Sequence, residues 1–165
     1  MSIRTRRGLE GGLVGGLVGG LVIGVFLAVI TAAQRGDLWP VLKGAGAPLL
    51  GERATQPGFD AVAVLVGLTS HFAVSVGWGL LFGLVFYGMS RPATLAAGLL
   101  WGFAVWLAMS YAVLPLLGLG AMARGGPVGL AIFAHLLYGL AVAVGFLPFQ
   151  REVTRSVAPR RERPA

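Results

Sequence analysis

The chain has 165 residues, of which 56% are hydrophobic and only 12% charged, with 27 glycines and a formal net charge of +7. Soluble domains carry about a quarter of their residues charged, so this composition excludes an ordinary water-soluble fold and points to lipid as the solvent. The lack of cysteine excludes disulfides, thiolate metal sites and covalent haem attachment through Cys-x-x-Cys-His.

Charge-free runs define the elements. Residues 11–34, 61–90, 92–123 and 125–150 hold no Asp, Glu, Lys or Arg, and each exceeds the ~20 residues that cross a hydrocarbon core. The first span, about 11–33, opens with the repeated tetrapeptide GGLVGGLVGGLVIG. Its Gly12, Gly16, Gly20, Gly24, Ala28 and Ala32 are four apart and form a bare ridge on a helix. Lipid forces the backbone to satisfy itself, so helix prevails despite the glycine. Such a ridge serves packing within the chain, or between chains in a homo-oligomer or with other membrane subunits. The start MSIRTRR imitates a secretory signal, but the apolar run is longer than an ordinary h-region, and the span is read as retained.

Residues 34–60 contain Asp37, Lys43, Glu52 and Arg53 and cannot span. They read as an outer loop with Trp39-Pro40 near the membrane surface and LWPVLKGAGAPLL lying on the interface or dipping partly inward. Pro48 and Pro57 limit any helix there. A plain interfacial loop is the main reading and a substrate-gating loop the alternative.

The second span, about 61–87, carries Gly67, His71, Ser75, Gly79 and Gly83 at four-residue steps, a small-residue strip interrupted by one imidazole. After the turn Ser90-Arg91-Pro92, the third span, about 93–117, carries Thr94, Gly98, Gly102, Trp106 and Ser110 in the same register. The fourth, about 127–148, begins at Pro127, a favoured first-turn position, and carries Ala131, His135, Gly139 and Ala143. The expected fold is an all-α integral membrane four-helix bundle, one domain over 1–165. LVIGVFLAVI (21–30) resembles LLWGFAVWLA (99–108), and each half then delivers a histidine-bearing span, so two parallel two-helix repeats are a further expectation.

Arg4, Arg6, Arg7, Arg91 and the basic tail 149–165 hold nine of the thirteen basic residues, which the positive-inside rule places in the cytoplasm with both termini. The tail lacks interleaved aromatics, so contact with anionic headgroups is expected and nucleic acid is not.

His71 lies eleven residues after Asp60 and His135 eleven after Arg124. At 1.5 Å per residue, both sit roughly 16 Å in from those charges, near the bilayer middle. Ser75 and Tyr138 lie at similar depth, and the four side chains form a candidate buried polar site. Three roles fit: hydrogen bonds that specify packing in a structural or accessory membrane component, bis-histidine ligation of a b-type haem by His71 and His135, or a path for protons, ions or a small solute through a homo-oligomeric channel or carrier. No Asp or Glu lies within a span to complete a metal site, and no nucleophile or phosphate-loop motif is present. A metal centre and enzymatic activity are therefore not expected.

The stretches SHFAVSVGWGLLFGLVFYG (70–88), GLLWGFAVWLAMSYAVLPLLG (98–118) and AHLLYGLAVAVGF (134–146) resemble small uncharacterised bacterial four-span membrane proteins, some automatically labelled sodium:proline symporter-like. This chain is far too short for the symporter fold. The resemblance implies four spans and a bacterial inner membrane, and no activity.

Overall fold

The computed structural model describes residues 1–123 and 125–150; residue 124 and the greater part of the basic tail, 151–165, lie outside the described residues. Helix α1 (Ile3–Arg35) starts eight residues before the expected span. Ser2 caps it by accepting the Thr5 N–H at 3.1 Å, and Arg6 pairs with Glu10 one turn on. Gly36 ends it at φ 69°, the left-handed conformation in which glycine carries no steric penalty. Two short helices follow, α2 (Trp39–Gly44) and α3 (Ala47–Leu50), each with a proline in its first turn, and then a 3-10 turn at Gly51–Ala54. Asp60 caps α4 (Ala61–Phe86) through the Ala63 N–H. Helix α5 (Arg91–Ala108) runs into a π turn at Met109–Val113 and the short α6 (Leu114–Leu116). The π turn has a local cause: Pro115 donates no hydrogen bond to the preceding turn and its ring crowds that turn's carbonyl. Helices α7 (Gly120–Ala123) and α8 (Val128–Phe146) complete the described elements, followed by a 3-10 turn at Leu147–Phe149.

The stretches Ile3–Arg35, Ala61–Phe86, Arg91–Leu116 and Val128–Phe149 are long and apolar enough to cross a membrane. They make an all-α four-helix bundle with α1 at its centre, packed against α4 on one side and α8 on the other, while α5 packs on α8. The GGLV repeat explains this position. Neighbouring residues are about 100° apart around a helix of 3.6 residues per turn, so a glycine doublet repeated every four residues gives two bare stripes on adjacent sides. Gly12, Gly16 and Gly20 face α4, and Gly11, Gly15 and Gly19 face α8. A methyl group at Gly12 would lie 2.6 Å from the Gly79 carbonyl oxygen, and one at Gly15 2.7 Å from that of Val142. Leu13, Leu17 and Leu21 occupy the outward stripe and are exposed. Of the two roles expected for the ridge, these contacts fill the one within the chain.

Helices α4 and α5 are joined by a short turn, yet large rings hold them apart. Trp78, Phe82 and Phe86 of α4 surround Trp101 of α5 at centroid distances of 5.8–6.0 Å. The Trp101 indole N–H has no hydrogen-bond partner among the described residues. Gln150, just beyond α8, clamps the α4–α5 turn. It accepts the Gly88 N–H at 2.7 Å and donates to the Phe86 carbonyl at 2.9 Å and the buried Thr94 hydroxyl at 2.8 Å. Arg4 reaches the Tyr87 carbonyl from the other terminus, so both ends of the described chain lie at the same end of the bundle as this turn. That end is called the terminal end below, and the opposite one the loop end.

Glycines that face backbone and glycines that face outward must respond differently to a methyl group. Gly79→Ala meets the backbone of Gly12 and Gly16 at 2.5–2.6 Å and is expected to destabilise by about 1–3 kcal/mol, as overpacking does. Gly77 has nothing within 4 Å of its added methyl, and Gly77→Ala should be neutral or stabilise by up to about 1 kcal/mol, since alanine is the better helix former. Thermal unfolding in detergent measures both.

Candidate functional site

The polar residues expected at mid-span are each held by a different contact. On α4, His71 is half-buried and its Nε2 lies 2.8 Å from the Gly20 carbonyl oxygen of α1. A carbonyl only accepts, so Nε2 carries the proton. Gly24, one turn further along α1, leaves room for the ring: a methyl there would sit 3.4 Å from Nε2. Ser75 is buried, with its side chain against Gly20. Tyr138 of α8, also buried, passes its ring over Gly19 and donates its hydroxyl to the Ser75 carbonyl at 2.7 Å. These three side chains gather around Gly16–Gly24 of α1. His135 bonds within its own helix, its Nδ1 donating to the Ala131 carbonyl at 2.8 Å. Each imidazole is tied through one ring nitrogen to a different backbone carbonyl. Among the described residues no cluster of three His, Cys, Asp or Glu side chains is arranged to hold a metal.

The remaining packing residues fall on helix seams. Gly83 faces Gly8, and Gly98 and Gly102 face Gly139 and the His135 backbone. The two hairpins share a contact pattern: Gly24 faces His71 and Gly20 faces Ser75, while Gly102 faces the His135 backbone and Gly98 faces Gly139. These partners correspond under the sequence match of 21–30 with 99–108. Gly67 is the exception among the expected helix-packing glycines, because it meets Leu42 and Lys43 of α2, outside the four spans.

The outer loop is a folded cap, which the plain-loop reading missed. Lys43 is only 1% exposed, and its ammonium donates to the carbonyls of Gln56 and Gly58. Asp37 accepts the Trp39 N–H at 2.9 Å and the Gly58 N–H at 3.1 Å. Those two bonds, in that order, are the main reason its carboxyl lies below its ordinary value. Arg53 grips Asp60 through Nε at 2.7 Å and Nη2 at 3.0 Å. That guanidinium and the Ala63 N–H hold Asp60 down to about 2. A shallow groove of about 230 Å³ opens beside the π turn at the loop end, lined by Leu27, Trp106, Ser110, Tyr111 and Ala131 among others.

The fold and its four spans define the class, an all-α multi-pass membrane bundle. No family model, curated protein or solved structure matches the chain.

Two outcomes follow from this geometry. Tyr138→Phe removes one interhelical hydrogen bond and should cost about 0.6 kcal/mol, the average for such bonds in membrane bundles, as read by unfolding in detergent. A carboxylate depressed in the folded state stabilises it above the unfolded value and stops doing so as pH falls through the folded one. The cap is therefore held by Asp37 and Asp60 above about pH 4 and should loosen as pH falls towards 2. Amide hydrogen exchange at Gly58 and Ala63, corrected for intrinsic rates, should lose protection over that window, and Asp60→Asn should weaken it at neutral pH.

Proposed function

We propose that this chain is a non-catalytic structural or accessory component of a bacterial inner membrane, with both ends in the cytoplasm. One observation carries the reading: within the spans, His71, His135 and Tyr138 each spend a donor on a backbone carbonyl, of Gly20, Ala131 and Ser75 respectively. The bonds of His71 and Tyr138 cross between helices, and polar groups used in this way specify which helices pack and in what register, while that of His135 stays within its own helix. The orientation rests on Arg4, Arg6, Arg7 and Arg91, all at the terminal end, together with the arginines of the tail sequence.

A b-type haem fits these residues poorly. Iron ligation through His71 Nε2 would give up the bond to Gly20, and a macrocycle would have to part α1 from α4, where backbone meets backbone. A proton or ion route along that seam meets the same closed contact.

The tests use purified protein in detergent and in liposomes. Wild type should show no Soret band and no proton or ion flux above empty liposomes. His71→Ala should lower unfolding stability by about 0.6–2 kcal/mol, in the range for buried polar contacts between membrane helices, without altering either readout. A Soret band, or a flux, abolished by His71→Ala or His135→Ala would overturn the reading.

A further inference from the structure

We propose that the cap over residues 36–60 is re-entrant: the turn between α2 and α3 is sunk into the hydrocarbon of the leaflet at the loop end, and Leu49 faces lipid chains.

Register gives the depth twice. The backbones of Leu42, Lys43 and Gly46 press on Gly67, which lies seven residues into the chain beyond Asp60; that is about 10 Å down α4 from the charged rim. Helix α2 has six residues, a descent of about 9 Å. It starts at Trp39, which packs edge-on against Phe59 at 4.8 Å. The chain then climbs back through α3 and the 3-10 turn, until Arg53 reaches Asp60 and the rim again. Aromatic rings at the rim and an apolar tip below it are the order a leaflet imposes.

Charge is sorted accordingly. Between Asp37 and Glu52 the single charged residue is Lys43. It sits at the lowest level, yet its amine runs back to the carbonyls of Gln56 and Gly58 near the rim. A lysine stem buried in this way, with its ammonium returned to polar groups, is how a charge is tolerated at membrane depth. The backbone is provided for as well. Gly46 N–H bonds Lys43 O at 2.8 Å, and Leu49 and Leu50 N–H both bond Gly46 O at 3.0 Å. Pro40 and Pro48 sit in first turns, where an N–H would have no helical acceptor. Irregular backbone survives at membrane depth only when satisfied or covered by protein.

The occupant of the outward face follows from continuity. Leu49 is 74% exposed, beside exposed Pro48. At the same end α4 turns Val62 and Leu65 outward, so the cap extends the lipid-facing surface of the spans.

The absence of cysteine allows a direct test in the whole 165-residue chain. Leu49→Cys and Thr55→Cys, both at exposed positions, are made singly, reconstituted in lipid nanodiscs open on both faces, and treated with a membrane-impermeant maleimide. Thr55→Cys should label, and Leu49→Cys should lose labelling until the protein is denatured. A nitroxide at residue 49 should be relaxed by oxygen more than by a water-soluble nickel chelate. Labelling of Leu49→Cys as fast as Thr55→Cys would overturn the proposal. So would a nitroxide shielded from both relaxants, which would mean that a second copy or another protein covers the site.

Discussion

The structure depends on how closely α1 can approach two neighbours at once. Between apolar helices in lipid there is no hydrophobic gain from association, so contact must come from packing and short-range polar bonds. Two bare stripes on α1 let its backbone meet that of α4 at Gly8–Gly83 and Gly12–Gly79, and that of α8 at Gly15–Val142. Side chains at any of these points would push the helices apart, as Trp78 and Trp101 do between α4 and α5. The centre of the bundle is set by what α1 lacks, and its rim by aromatic bulk.

That closeness decides what the polar groups can do. Helix carbonyls are the acceptors that a dry interior offers in quantity, and a glycine stripe uncovers them to a neighbouring helix. His71 reaches Gly20 O because Gly24 leaves space for the ring, and Tyr138 reaches Ser75 O because Gly19 does. Lys43 follows the same logic at the edge of the membrane, where two loop carbonyls take its ammonium. Each donor is used for position, and that use ties the proposed structural role to the fold.

Much of this was legible in the sequence, and the rest was hidden for physical reasons. Charge-free runs gave the four spans because hydrocarbon tolerates so few charges. The strip Gly67-His71-Ser75-Gly79-Gly83 read as a packing face, and it lies against α1 except at Gly67, where α2 intervenes. The second stripe, Gly11-Gly15-Gly19, stands in the same repeat, and a single period of four conceals that a doublet serves two partners. Matched depth leaves helix rotation free, so the sequence did not reveal that His71 bonds across to α1 while His135 bonds within its own turn. The cap was illegible because Lys43 bonds backbone carbonyls, which carry no side-chain signature. The clamp by Gln150 was hidden likewise, since two of its three bonds go to backbone.

The correspondence between the two hairpins shows where the bundle is closed and where it is loose. Gly24 and Gly102 occupy matching positions opposite His71 and His135, so α1–α4 and α5–α8 are built alike. The contacts between hairpins are not. Gly15 and Gly19 let α1 close on Val142 of α8. In the matched register Val142 corresponds to Trp78 and Ile23 to Trp101, and those indoles fill the α4–α5 seam at 5.8 Å. Close packing on one side and wide packing on the other leave α4 and α5 coupled mainly through rings and the Gln150 clamp. The α4–α5 seam is thus held by ring packing and side-chain bonds, whereas α1 meets α4 and α8, and α5 meets α8, backbone to backbone.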